Sequence, residues 1–63
     1  MREVLPLSLI PSTDLYVIHS KTAGTISGHP TATDAVWAFD LQAGALGTDA
    51  AIYARHDNCW HVF

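Results

Sequence analysis

The sequence predicts a small α+β fold, in which an antiparallel sheet of order (β)ββαββ is covered on one face by a single helix. Short β-branched and aromatic runs, separated by turn residues, indicate the strands. One Ala-rich segment with helical apolar spacing lies between two pairs of these runs. The length of 63 residues is enough for one domain, so residues 1–63 are treated as a single unit.

Residues 1–13 predict an extended arm or an edge strand. Val4–Leu5 and Leu7–Ile10 are apolar, but Pro6 and Pro11 interrupt them. Because proline cannot donate a ladder hydrogen bond, such a segment fits only at the margin of a sheet.

A β-hairpin is predicted over residues 15–27. Leu15–Ser20 is rich in β-branched and aromatic residues, and Thr25–Ser27 forms a second short strand. The turn between them, Lys21–Gly24, ends on a glycine that can adopt a positive φ. Gly28–Pro30 is then expected to break the sheet.

One helix is predicted over residues 32–43. Thr31 is its N-cap, and Asp34 completes an imperfect capping box at the positive end of the helix. Gly44 is a natural residue to follow the last turn. The expected apolar face consists of Ala32, Ala35, Val36, Phe39 and Ala43.

A second hairpin is predicted over residues 51–63, with Asp57 and Asn58 as its two-residue turn. This turn places His56 opposite Cys59, Arg55 opposite Trp60 and Tyr53 opposite Val62. A helix of about three turns cannot cover both faces of a four-stranded sheet. The second face is therefore expected to meet water or a partner.

The composition limits the classes of function. Three basic against six acidic side chains give a net charge of −3, so direct binding of nucleic acid is not expected. No apolar run approaches the ~18–20 residues of a membrane span, so no membrane association is expected. The single cysteine, Cys59, excludes an internal disulfide and fits a reducing compartment, which predicts a cytoplasmic location.

Aromatic residues are the candidates for a binding surface. Trp60, Tyr53 and Arg55 are expected on one sheet face, and Trp37 lies beside the apolar stripe of the helix. Trp, Tyr and Arg are enriched at binding hot spots, which makes these residues candidates for an exposed patch, although each tryptophan taken singly favours a place in the core. The alternative is that Trp60 and Tyr53 belong to the core, with Arg55 lying across the indole. At least one aromatic residue is expected to be exposed.

The residue types of a metal or thiol site also occur. His56, Cys59 and His61 are expected on one sheet face, where His19 or His29 would complete a zinc site. Paired CxxC or HxxxH spacing is missing from the sequence. Cys59 and His56 are a possible nucleophile and base, but Asp57 is expected to point to the other side. The prediction is a protein without catalytic residues, metal or cofactor.

Two resemblances extend this interpretation. Residues 25–35, TISGHPTATDA, form a strand, a glycine turn, a capping threonine and an Ala-rich helix, an order that resembles HicB-type antitoxins. In size, charge and architecture the whole chain resembles small phage-encoded inhibitors of host defence, particularly anti-CRISPR proteins. That resemblance implies a non-enzymatic inhibitor in the host cytosol.

The leading functional hypothesis is a binding protein that blocks a larger nucleic-acid-handling complex by occupying its surface. Asp40, Asp49 and Asp57 would then meet a basic surface on the partner. The alternative is an antitoxin-like or homo-oligomeric regulatory domain, because Phe63 ends the chain in a predicted strand whose free edge invites a second copy as a homodimer. A small metal- or thiol-dependent protein is a second alternative.

Overall fold

The computed structural model describes residues 4–42, 44–45 and 49–63, and it confirms the α+β class. The elements are β1 (Val4–Pro6), a 3-10 turn (Leu7–Leu9), β2 (Tyr16–Ser20), β3 (Gly24–His29), α1 (Ala32–Leu41), β4 (Ala50–His56) and β5 (Cys59–Val62). Their order along the chain is the predicted one. Within these residues, no helix has the length and hydropathy that crossing a membrane requires.

The strands form one five-stranded antiparallel sheet of order β1-β5-β4-β2-β3. The arm-or-edge question for residues 1–13 is settled in favour of an edge strand, although residues 1–3 lie outside the described residues. β1 pairs with β5, so that Leu5 lies opposite Trp60 and Pro6 opposite Cys59. β5 therefore has a neighbour on each side, and the prediction of a free edge at the C-terminal strand is wrong.

The two turns adopt the predicted conformations. Gly24 has a φ of +85°, which closes the β2–β3 turn without a side-chain clash. Asp57 and Asn58 have φ values of 51° and 61°, as a two-residue turn between twisted strands requires. All three predicted cross-strand pairs of this hairpin are present in the β4–β5 register.

The prediction that the sheet breaks at Gly28 is wrong, because β3 continues to His29. Gly28 pairs with Val17 and His29 with Tyr16. A Cβ atom at Gly28 would overlap the Oδ2 atom of Asp14. The glycine therefore admits the Asp14 carboxyl group beside the strand and does not mark a turn.

The start of α1 follows the sequence, and its end differs. The Asp34 backbone N–H donates to Thr31 Oγ1 at 3.2 Å, which confirms the N-cap. The helix ends at Leu41, and the Gln42 backbone N–H and side-chain Nε2 donate to the Ala38 carbonyl at 3.2 and 3.1 Å. These two bonds supply donors to a carbonyl group at the end of the helix that has no partner within the helix. Gly44 does not have a positive φ, so it does not form the predicted helix stop. Position 43 lies outside the described residues.

Other parts of the chain cover a portion of each face of the sheet. On one face, α1 packs against β2, β3 and β4, and Ala35 and Ile18 are fully buried. On the other face, Ile10 of the N-terminal segment packs on strand residues. That core consists of Ile10, Val17, Tyr53 and Trp60, flanked by Leu5, Leu7, Ala51 and Val62. The expectation that this second face meets water or a partner is wrong over Tyr53 and Trp60, which residues 5–10 cover, whereas Arg55 on the same face is exposed.

A candidate binding surface on the helix

The predicted exposed patch at Trp60 and Tyr53 does not exist, because both side chains belong to the core. Trp60 is 0% and Tyr53 is 1% exposed. Leu5 lies opposite Trp60, and Leu7 and Ile10 pack on the same cluster. Neither aromatic side chain is accessible to a partner in this fold, so the alternative that placed them in the core is correct.

The outer face of α1 carries the most exposed aromatic residue of the described part of the chain, ahead of Phe63 at 56%. Trp37 is 68% exposed and Leu41, one helical turn later, is 81% exposed. Val36 is 38% exposed, although the sequence placed it on the buried stripe. With the exposed Asp40 between them, these side chains surround a concavity of about 330 Å3. We call Val36, Trp37, Asp40 and Leu41 the α1 patch.

Helical spacing explains why this patch faces outward. At about 100° per residue, the four positions fall on one side of the helix, roughly opposite Ala35, which is buried against the sheet. An exposed helix face normally carries charged and polar residues. Here three of the four side chains are apolar, which is typical of a surface that contacts another molecule.

The remaining predicted binding residues lie outside the α1 patch. Asp49 and Asp57 flank opposite ends of β4, which spans seven residues, or about 20 Å. Arg55 is exposed on β4 opposite Trp60, on the sheet face away from the helix. The structure therefore does not gather the predicted acidic residues on one surface, and only Asp40 accompanies an exposed tryptophan.

Hydrogen bonds within the protein hold the Asp49 carboxylate. Its Oδ2 atom accepts hydrogen bonds from Thr22 Oγ1 at 2.8 Å, Thr22 N at 3.0 Å and Ser20 Oγ at 3.0 Å. The bond from the Thr22 hydroxyl, assisted by that from Ser20, lowers the pKa of the Asp49 carboxyl group. Asp49, the residue before β4, is thus hydrogen-bonded to the β2–β3 turn. Asp57 lies at the exposed tip of the β4–β5 hairpin, where its Oδ2 atom is 3.1 Å from His56 Nε2.

The histidines do not converge with Cys59 on a metal site. The rings of His56 and His61 lie 5.8 Å apart between centroids, and His61 Nε2 is 3.2 Å from the His56 carbonyl oxygen. His19 lies on the opposite sheet face in edge contact with Tyr53, and His29 is 2.9 Å from Ser27 Oγ. Across the described ranges, no group of three or more His, Cys, Asp or Glu side chains is arranged to hold a metal ion.

A larger and shallower groove, of about 780 Å3, lies between the N-terminal segment and the β2–β3 turn. Its polar side chains have partners within the protein. His19 Nδ1 is 3.4 Å from Thr25 Oγ1, and Thr22 donates to Asp49. These polar side chains are already hydrogen-bonded within the protein, so the α1 patch is the better candidate site.

The sequence identified one half of the α1 patch and missed the other. Trp37 and Asp40 were named as binding residues, whereas Leu41 was not. The spacing of Trp37 and Leu41 at i and i+4 was the available signal, because it marks a second apolar stripe beside the one that contains Ala35.

No known protein family, curated protein or solved structure matches this chain.

Proposed function

We propose that this chain is a non-enzymatic binding protein that inhibits a larger partner by occupying its surface with the α1 patch. The supporting observation is the exposure of Trp37 and Leu41, at 68% and 81%, one turn apart on a regular helix. Large apolar side chains held on a rigid element lose little conformational entropy on binding, and tryptophan is prominent among binding hot spots.

Charge indicates the kind of partner. The chain has a net charge of −3, and Asp40 is the charged residue of the α1 patch. A basic protein surface would complement both. Protein complexes that bind nucleic acid have basic surfaces that contact the phosphate backbone. The concrete form of the proposal is an anti-CRISPR-like inhibitor in the host cytosol, which blocks a nucleic-acid-handling complex sterically.

The alternative of a homo-oligomeric or antitoxin-like domain receives less support. A symmetric contact through the α1 patch would bring two Asp40 carboxylates towards each other. The sheet edges also discourage strand addition. β1 is short and contains Pro6, while β3 carries a register shift opposite Ile18 and His19.

The experiment is affinity capture from a bacterial lysate that contains defence systems, with three tagged forms of the protein. These are the wild type, Trp37→Ala, and Leu15→Ala as a control that removes an exposed apolar side chain outside the α1 patch. We expect the wild type and Leu15→Ala to recover one nucleic-acid-handling complex and to inhibit it after purification. Trp37→Ala should recover at least about tenfold less, as expected for a hot spot.

Equal recovery of that complex by Trp37→Ala would contradict the assignment of the α1 patch. Recovery of the tagged chain with only further copies of itself would contradict the inhibitor proposal and favour the homo-oligomeric alternative.

A further inference from the structure

We infer that the α1 patch receives an arginine side chain from the partner, which lies on the Trp37 indole and pairs with the Asp40 carboxylate. This inference rests on the proposed binding function and specifies the chemistry of the contact.

The geometry of the helix brings the two recognition groups together. Trp37 and Asp40 are three residues apart on α1, a spacing that makes side chains neighbours on a helix surface. Both border the concavity of about 330 Å3, whose other walls are the apolar side chains of Val36 and Leu41. The site therefore combines an aromatic face, apolar walls and one carboxylate.

The Asp40 carboxylate has no partner among the described residues: none donates a hydrogen bond to it or forms an ion pair with it. A purely apolar partner would cover this carboxylate and leave it desolvated without compensation, which is costly. A cation on the partner removes that cost. Charge complementarity thus selects a basic side chain over an apolar one.

The shape of the site favours arginine over lysine. A guanidinium group is planar, so it can stack on an indole while its N–H groups donate to a carboxylate. Its aliphatic stem can pack on apolar walls such as those of Val36 and Leu41. The lysine ammonium group is more strongly hydrated and offers no flat face. The α1 patch provides one surface for each part of an arginine side chain.

A second copy of this chain is a weaker source of the arginine. Arg55, the arginine of the described residues, lies on β4, on the sheet face opposite the helix. Its insertion into the α1 patch of another copy would be a head-to-tail contact, which builds rings or open filaments rather than the symmetric dimer that is commonest among homo-oligomers.

Nuclear magnetic resonance with a minimal probe tests the inference. The probe is a capped peptide of sequence Ala-Leu-Arg-Leu-Ala, and its matched control replaces arginine by citrulline, which keeps the shape and removes the charge. The readout is the indole N–H signal of Trp37, assigned with Trp37→Phe. The signal of the buried Trp60 serves as an internal reference.

We expect a saturable shift of the Trp37 signal with the arginine peptide, at an affinity near the millimolar range for a single contact. The citrulline peptide, and the arginine peptide with Asp40→Asn, should each bind at least about threefold more weakly, because the charge-assisted contact is lost. Asp40→Glu should retain most of the affinity.

Equal affinities for the two peptides, or no saturable shift of the Trp37 signal, would overturn the arginine assignment. Self-association that grows with concentration and is abolished by Arg55→Ala would overturn the assignment of the arginine to a different protein and place it on a second copy. If capture of a complex depends on Trp37 but not on Asp40, the proposed binding function is supported and the arginine inference is contradicted.

Discussion

Leu5 lies directly opposite Trp60, because β1 adds to the free side of β5. This pairing joins the two ends of the chain and covers the indole, which has no exposed surface. The same segment then continues over the sheet to Ile10, which packs on Val17 and Tyr53. The N-terminal segment is therefore a structural cover for the largest side chain of the core.

The first prediction concerns the unequal roles of the two tryptophans in stability. Trp60→Ala should lower the free energy of unfolding by about 3–5 kcal/mol, since it leaves a large cavity. A domain of 63 residues has only about 3–9 kcal/mol in total, so this variant should lose a large part or all of its stability. Urea titrations followed by circular dichroism measure the loss. Trp37→Ala should change stability by no more than about 0.5 kcal/mol, and similar losses for the two variants would contradict the assignment.

The second prediction tests the N-terminal cover with two neighbouring residues. Ile10 is buried in the core, whereas Leu9 is half exposed. Ile10→Ala should lower the free energy of unfolding by about 2–5 kcal/mol, and Leu9→Ala should have a much smaller effect. The same urea titrations distinguish them. Equal losses of stability in Ile10→Ala and Leu9→Ala would show that the N-terminal segment does not pack on the sheet through Ile10.

The third prediction concerns Gly28 and Asp14. Gly28→Ala should destabilise the protein by no more than about 1 kcal/mol, because the new Cβ atom displaces the Asp14 carboxyl group, which is the end of a flexible side chain. The double variant with Asp14→Gly should recover part of the loss, which a thermal unfolding comparison would detect. Gly44→Ala is the control, since nothing lies within 4 Å of its Cβ position, and it should be neutral or slightly stabilising. A loss of stability in Gly28→Ala that Asp14→Gly does not reduce would contradict the close approach.

The fourth prediction is a pH dependence of stability that arises at Asp49. The folded state lowers the pKa of this carboxyl group below its ordinary value of 3.8, so the unfolded state binds the proton more readily. The contribution is present above pH 3.8 and is lost as the pH falls through the folded-state pKa. Urea midpoints measured across this range should fall less steeply in Asp49→Asn and in Thr22→Val than in the wild type. Identical pH profiles would exclude this role for Asp49.

Local signals made most of the secondary structure predictable. The Asp57–Asn58 turn fixes the register of β4 and β5 because it joins adjacent strands. Thr31 and Asp34 similarly define the start of α1 within a few residues of sequence. These features depend on the conformational preferences of single residues and on short-range hydrogen bonds, which can be predicted from the sequence.

The burial of Trp60 was not predictable in the same way. It depends on a strand from one end of the chain reaching a strand at the other, and no local pattern specifies that contact. The position of Trp37 beside the apolar stripe is a local feature of the helix, but taken singly this tryptophan also favoured the core. Trp37 and Asp40 of the α1 patch are thus among the residues that the sequence suggests for binding, together with sheet residues that the structure places elsewhere.

The most direct test of the account is the affinity of the purified target complex for folded Trp37→Ala, compared with the wild type and Leu15→Ala by isothermal titration calorimetry. We predict that Trp37→Ala binds at least about tenfold more weakly, while Leu15→Ala stays within about twofold. An unchanged affinity for Trp37→Ala would contradict the claim that the outer face of α1 is the binding surface.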